Sequence, residues 1–336
     1  MASPAIRMFR RLEGLFCVYK PSGVHWKLVR DSIETNLLKG LDATPSQPLP
    51  QEVRFSISAG DETQAPKGLT LSAASVPVLS QHPLVTGPEF QHIRVGVGHR
   101  LDAFSSGVLV LAVGNGNRAL NDFYGTRVTR DYTLQGEFGT ATDDFSHTGR
   151  VVERSTYGHI TQDKLDRVLA ILQGANQKAL LTYSNVDMRS QEAYEMAVQG
   201  LLGPDGKSLP VLTGIRCIHF QPPNFTLEVQ CLNETQKYLR KVVHEIGLEL
   251  RSTAVCKGVR RTRDGPFTLQ DALTRHHWNA THVKQAIKQY HLSKTNKKHS
   301  SSQNKDPESQ HQEEDRTTAS QQNETSSNKA ATGRIE

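Results

Sequence analysis

The chain has 336 residues, with 40 Lys+Arg against 34 Asp+Glu and 36% hydrophobic content, which suits a soluble globular protein of one large domain, or one domain with appendages. No apolar run approaches the ~20 residues needed to cross a bilayer, which excludes a membrane-spanning role. The positive balance, with a pI of about 9.1, is compatible with a polyanionic partner and alone does not establish one.

The first twelve residues, MASPAIRMFRRL, hold Arg7, Arg10 and Arg11 and no acid, the pattern that starts a mitochondrial presequence. Strand-like sequence begins at Leu15. Residues 15–19 read as a buried strand ended by Pro21 and Gly23, where Pro presets φ and Gly admits a positive one, so a tight turn follows. Residues 25–41 read as a helix, from Leu28, Ile33, Leu37 and Leu38 at roughly helical spacing. A proline-broken loop (42–51) opens a stretch running to residue 93, with short strands such as EVRFSI and LTLSAA and little chemistry. GVLVLAVG (107–114) is a buried strand, NRALNDFYGTR (117–127) a short helix, and DYTLQGEFG (131–139) an alternating strand.

Over 161–174, Leu165, Val168, Leu169 and Leu172 fall at i, i+3, i+4 and i+7, an amphipathic helix, and 190–202 reads as another. FTLEVQCL (225–232) is a strand. The segment after it (233–250) sets Leu239, Val242, Val243, Ile246 and Leu250 on one helical face. This irregular alternation argues an α+β domain with a mixed sheet rather than a repeated βαβ array. From Thr295 to Glu336, Ser, Gln, Asn and Glu dominate, so burial cannot offset chain entropy and the tail is expected to be disordered. It is nearly charge-balanced, with six basic and seven acidic residues, so the positive excess lies in the body.

Several candidate chemistries compete. Four cysteines (Cys17, Cys217, Cys231, Cys256) without a C-x-x-C pair suggest buried free thiols and neither a disulfide frame nor a zinc site. Gly114-Asn115-Gly116-Asn117-Arg118-Ala119 fits a dinucleotide fingerprint in spacing, following a strand and opening a helix. Yet the next strand alternates and runs into a turn, so a plain strand-to-helix turn explains the glycines as well. Asp143 and Asp144 lack further oxygen ligands at metal-site spacing, which favours a solvated turn, and His244-Glu245 lacks the second His of a zinc helix. KGVRRTRDG (257–265) reads either as a phosphate contact or as a charged strand edge. Asp102, in HRLDAFSSG, is either a turn-stabilising Asx residue or a carboxylate presented at the rim of a sheet.

Taken together, KPSG (20–23), RLDAFSSGVLVL (100–111), RDYTLQGEFGTATDD (130–144) and YLRKVVHEIGLEL (238–250) resemble, in order, the motifs of the TruB family of pseudouridine synthases. YSNVDMRSQEAYEMAVQG (183–200) and VRRTRDGPFTLQDAL (259–273) resemble its later segments. The resemblance covers Gly14 to Leu273, and within the family it is greatest to the animal mitochondrial branch. It implies the α+β pseudouridine synthase fold, a central mixed, mostly antiparallel sheet flanked by helices. It also implies an isomerisation that breaks the uracil–ribose bond and rejoins the base through carbon 5, with no cofactor.

By the same resemblance, Asp102 is the nucleophile, a role a carboxylate can fill by adding covalently at the sugar or base. Tyr132 stacks on the target uracil and handles a proton at the sugar. Arg240 pairs with the nucleophile and keeps it charged. Tyr238 lines the base pocket, Val259 takes its apolar position, and Lys20 with Pro21 braces the catalytic loop, close to substrate. The family's usual target, a uridine in the tRNA T-loop, must leave its stack to be reached.

Three departures accompany the resemblance. The histidine that bacterial members carry five residues before the nucleophile is Val97 here, the nearest histidine being His99. Residues 42–93 hold an insertion. After Leu273 a short helical extension (274–294) precedes the tail, without the PUA domain common in the family. The reading is therefore a mitochondrial RNA pseudouridine synthase acting on tRNA or mRNA, with mitochondrial RNA-processing proteins as expected partners. The alternative is an RNA-binding or RNA-folding protein that has lost or reduced its catalysis.

Overall fold

A computed structural model describes residues 4–43, 51–59, 69–78, 80, 83–87, 90–125, 128–183, 187, 189–198 and 210–303. The arginine-bearing start is a helix, α1 (Pro4–Leu12), with Arg7, Arg10 and Arg11 exposed. Its other side buries Ala5 and Leu12, while Met8 and Phe9 pack on the same apolar cluster and Phe9 stacks on Phe90 at 5.3 Å. This segment is thus packed into the body. β1 (Gly14–Lys20) follows, then α2 (Trp26–Asp42), whose buried stripe is Val29, Ile33, Leu37 and Leu41. Leu28, placed on that stripe by sequence spacing, is 61% exposed because Val29, one residue on, takes the inward position.

Within the inserted stretch, β2 (Gln51–Ala59) and β3 (Leu69–Pro77) form their own two-stranded antiparallel sheet and leave Val53, Phe55 and Leu71 exposed. A short helix, α3 (Pro83–Thr86), comes next. β4 (Val95–Val97) leads to β5 (Ser106–Val113), apolar and buried at each position after Ser106, as expected of a strand covered on both faces. α4 (Gly116–Gly125), β6 (Arg130–Phe138) and the small antiparallel pair β7 (Thr140–Thr142) and β8 (Val151–Arg154) continue the chain. Then come α5 (Gln162–Tyr183), α6 (Gln191–Val198), β9 (Val211–Gln221), β10 (Asn224–Leu232) and α7 (Gln236–Glu249). β11 (Ala254–Asp264), β12 (Phe267–Thr268), a 3-10 turn at Arg275–His277 and α8 (Ala280–Gln303) complete the described elements.

Among the described residues, eight strands form one mixed sheet in the order β1-β5-β11-β6-β10-β9, with β4 beside β5 and β12 beside β11. Its pairings are antiparallel except that of β5 with β11. This is the α+β architecture expected. β5 and β6 flank β11, one parallel and the other antiparallel to it, so they run oppositely and form no parallel βαβ unit. That removes the dinucleotide reading of Gly114–Ala119. A Cβ on Gly116 would stand 2.4 Å from the Gly14 carbonyl oxygen, so close backbone approach accounts for that glycine.

The charged-edge reading of 257–265 is also corrected: β11 lies inside the sheet, and Arg261 and Asp264 are fully buried. Residues 274–287, read as an extension, belong to the core. Trp278, Ala280, Val283 and Ile287 pack with β1, β5 and α2, and Leu273 exchanges backbone hydrogen bonds with Cys17 and Tyr19. The other half of the sheet carries a second apolar cluster built from β6, β10 and β11 with α5 and α7. Beyond the body, Met1–Ile287, the unit Lys288–Glu336 begins with the rest of α8, helical through Gln303 and so into the expected tail, which starts at Thr295. Residues 304–336 lie outside those described.

Candidate active site

The stretch between β4 and β5 turns sharply, and Leu101, fully buried, anchors it in the core. Asp102 follows with its side chain 34% exposed. Its Oδ1 accepts from the Ser105 backbone N–H at 2.8 Å, so it does hold the turn as an Asx residue. Its Oδ2 accepts from Arg240 Nη1 on α7 at 2.6 Å. Both readings of Asp102 are met by one side chain, one oxygen serving each. The Arg240 guanidinium also lies over the Phe104 ring at 5.4 Å.

The KPSG turn is laced to this loop. Gly23 N–H donates to the Ala103 carbonyl at 2.8 Å and Ser22 Oγ to the Phe104 carbonyl at 2.9 Å. Lys20 is fully buried, and its Nζ donates to the carbonyls of Ser105 (2.5 Å), Pro21 (3.0 Å) and Ala103 (3.4 Å). Burial pushes its pKa down to about 8 against the pull of the nearby Asp102 charge. Where β5 leaves the loop, Gly107 has φ +109°, and a Cβ there would stand 2.1 Å from the Arg261 carbonyl oxygen. Only glycine lets the strand meet β11 at this point.

Beneath the loop lies a charged network that the sequence reading did not single out. Arg130 Nη1 donates to both carboxylate oxygens of Glu234 at 3.2 Å, and its Nε to Asp264 Oδ1 at 3.1 Å. Asp264 Oδ2 accepts from the Tyr124 hydroxyl at 2.8 Å. Arg261 donates from Nε to the Val108 carbonyl (2.7 Å) and from Nη2 to the His99 carbonyl (2.9 Å). Two cations and two carboxylates balance, which makes their burial tolerable. The signal in the sequence was phase: Arg130 shares the inward alternation of Tyr132 and Leu134, and Arg261 that of Val259.

The predicted site residues divide between these layers. Asp102 and Arg240 touch, and Lys20 is joined to them through Ser105. Tyr132 is fully buried, its hydroxyl donates to Glu234 Oε1 at 2.6 Å, and burial raises its pKa well above the ordinary value. The phenol proton is therefore directed into the network, and the ring is enclosed rather than open. His99 lies 3.0 Å from Arg261 Nη1 through Nδ1, with its pKa lowered to about 2 by burial first and then by Arg130 and Arg261. A neutral ring accepting at Nδ1 carries its proton on Nε2. Tyr238, pushed up to about 12 by burial, and Val259 both sit in the apolar cluster shared with Leu101 and Tyr132.

Elsewhere, Asp143 and Asp144 accept from backbone and side-chain donors of their own turn. Among the described residues no group of three His, Cys, Asp or Glu could hold a metal ion. No helix among them is long and apolar enough to cross a membrane. Of three buried side-chain atoms without a hydrogen-bond partner among the described residues, Ser105 Oγ and Arg240 Nε belong to the two residues that bind Asp102. The site thus keeps unused polar capacity.

The Asp102–Arg240 pair thus stands on a half-open loop of the mixed sheet, above a buried network whose charges balance. Residues 88–237 match the N-terminal domain of the TruB family of pseudouridylate synthases. The chain is 56% identical over 289 residues to "Pseudouridylate synthase TRUB2, mitochondrial" of Xenopus tropicalis, covering 86% of this chain and 89% of that one. It is 58% identical over 278 residues to the Homo sapiens protein of the same name, covering 83% and 84%. Among solved structures it is similar to an archaeal Nop10-Cbf5 complex, with TM-score 0.45 at 16% identity, covering 84% of this chain and 61% of that one. The chain belongs to the TruB family, in its animal mitochondrial branch. It is a mitochondrial RNA pseudouridine synthase.

Proposed function

We propose that Asp102 is the nucleophile, and that the substrate is a uridine in a structured loop of mitochondrial RNA, a T-loop-like element of tRNA or a comparable element of mRNA. The observation that supports this most is the 2.6 Å pair of Asp102 with Arg240, the other oxygen of the carboxylate being held by the Ser105 backbone N–H. The guanidinium holds the carboxylate aimed by a charge-assisted hydrogen bond, as a nucleophile requires. In the reaction the N1–C1′ bond breaks while the carboxylate holds the sugar or base. The uracil turns and rejoins through C5, whose hydrogen leaves to solvent as N1 gains one.

The uridine reaches Asp102 by flipping from its stack, at a cost of a few kcal/mol that a loop context reduces. Tyr132, whose ring is enclosed here, meets the base by its ring face. Its hydroxyl, given to Glu234, is not the group that takes a proton from the sugar. Tyr238 and Val259 form the apolar wall of the base pocket, and His99 and Lys20 support the loop from behind. The basic body grips the RNA backbone, so binding weakens with salt, and other mitochondrial RNA-processing proteins are its partners in that compartment.

The test is tritium release from mitochondrial tRNA and mRNA transcripts carrying 5-tritiated uridine. Asp102→Asn keeps the Ser105 bond and the shape of the loop, and we expect it to lower release by ~10⁴-fold or more with RNA binding intact. Release at the parent rate would mean that another carboxylate acts. The transcript turned over faster by the parent names the substrate class.

A further inference from the structure

We infer that Glu234 is a positioning residue for the reaction: it fixes the Tyr132 ring on β6 and ties that strand to the start of the helix that presents Arg240 to Asp102. The inference rests on the site reading above and adds to it a residue that touches neither substrate nor nucleophile.

The local chain is shaped for this. β10 ends at Leu232, and Asn233 takes the left-handed conformation with φ 54°, which asparagine tolerates better than most residues. That turn sends Glu234 inward with its side chain fully enclosed. Thr235 then caps α7, its hydroxyl accepting from the Tyr238 N–H at 3.2 Å. One carboxylate therefore stands at the junction of strand and helix, directly before the cap.

Its partners lie two residues apart on one face of β6. Oε1 accepts the Tyr132 proton at 2.6 Å, and both oxygens accept from Arg130 Nη1 at 3.2 Å. A phenol has one proton to donate, so this bond sets the direction of the hydroxyl and pins the far end of the ring. Charge balance accounts for the Arg130 bonds, with Glu234 and Asp264 facing Arg130 and Arg261, and does not account for the bond to Tyr132. The short phenol bond is what marks Glu234 as more than a counterion. A base stacked on a ring free to rock would spend less time aligned with Asp102, and misalignment by about 1 Å can cost on the order of 100-fold in rate.

The experiment is a double-mutant cycle with Glu234→Gln, Tyr132→Phe and the pair, read as single-turnover tritium release, RNA affinity and thermal midpoint. Each single variant is expected to lose on the order of 10- to 100-fold in rate, with RNA affinity within about twofold of the parent. The pair is expected to be no slower than Tyr132→Phe alone, because without the hydroxyl there is nothing for Glu234 to aim. Losses that multiply in the pair, an unaffected Tyr132→Phe, or Glu234→Gln at the parent rate would each overturn the proposal. If Glu234→Gln does not fold, Glu234→Asp takes its place: it keeps the charge facing Arg130 and draws the acceptor back from Tyr132. Asp102→Asn runs beside the cycle, and activity in that variant would defeat the site reading itself, separately from Glu234.

Discussion

The Asp102 loop and the network below it are made of the same bonds put to different use. Arg130, Arg261, Glu234 and Asp264 have side chains at most 8% exposed, and each meets at least two partners. Asp102 is 34% exposed, with one guanidinium and one backbone N–H. Nearby, Ser105 Oγ and Arg240 Nε have no hydrogen-bond partner among the described residues. The enclosed charges are each held by several partners, while the half-open Asp102 has neighbours with donors or acceptors to spare. For the nucleophile proposed above, this division would let the carboxylate pass between protein and substrate partners without disturbing the sheet beneath it.

The largest effect that could break this contrast is on stability. Arg261→Met removes the bonds to Val108 and His99 and leaves Asp264 with less compensation, and is expected to cost about 3–5 kcal/mol in denaturant unfolding. Arg240→Met, which leaves a half-exposed carboxylate that water can solvate, should cost clearly less while losing far more activity. Equal stability losses for the two variants would erase the distinction between the layers.

Lys20 stands at the join and sharpens the comparison through pH. Its folded pKa, about 8, is below its ordinary value of 10.5. Between those values the unfolded chain binds the proton and the folded one does not, so Lys20 makes stability rise with pH across that window. Unfolding midpoints of the parent and Lys20→Met, compared from pH 7 to 10, should move apart in the parent's favour as pH rises. Turnover should fall over the same range, as the ammonium that holds the Ala103 and Ser105 carbonyls loses its charge. A pH-independent difference between the two proteins would place Lys20 outside the linkage.

Much of this was legible in the sequence. The buried strand at 107–114 and the α7 face follow from period and spacing, and the motifs around Asp102, Tyr132 and Arg240 from their resemblance, in order, to those of the family. The rest was hidden for identifiable reasons. Arg130, Glu234, Arg261 and Asp264 sit at inward positions, where charge is expected to be absent, so a window on hydrophobicity reads KGVRRTRDG as an edge when it is the middle of the sheet. Residues 274–287 look too polar to be core because the buried side chains, Trp278, Ala280, Val283 and Ile287, are separated by exposed or half-buried ones. The enclosure of Tyr132 depends on the partner across the sheet, Glu234, which is 102 residues away in the chain.

The smallest effect belongs to the open side. Arg100, two residues before Asp102, is exposed and lies 4.7 Å over the Trp26 ring, with no carboxylate in ion-pair distance among the described residues. Lys27 and Arg30 flank the same indole at 5.9 and 5.8 Å, although Arg30 is paired with Asp31. Trp26 follows the KPSG turn that is bonded to the Asp102 loop, so this cation is held beside the approach to the proposed site. An aromatic face orients a guanidinium without neutralising it, which leaves its donors free for phosphate. Arg100→Gln should therefore weaken RNA binding about 3- to 10-fold at moderate salt and reduce the slope of log affinity against log salt by about 1. Single-turnover rate at saturating RNA and the unfolding midpoint should stay at parent values, because the residue belongs to neither the saturated network nor the reacting pair. A drop in saturated rate would move Arg100 from the RNA path into the chemistry, and an unchanged salt slope would take it off that path.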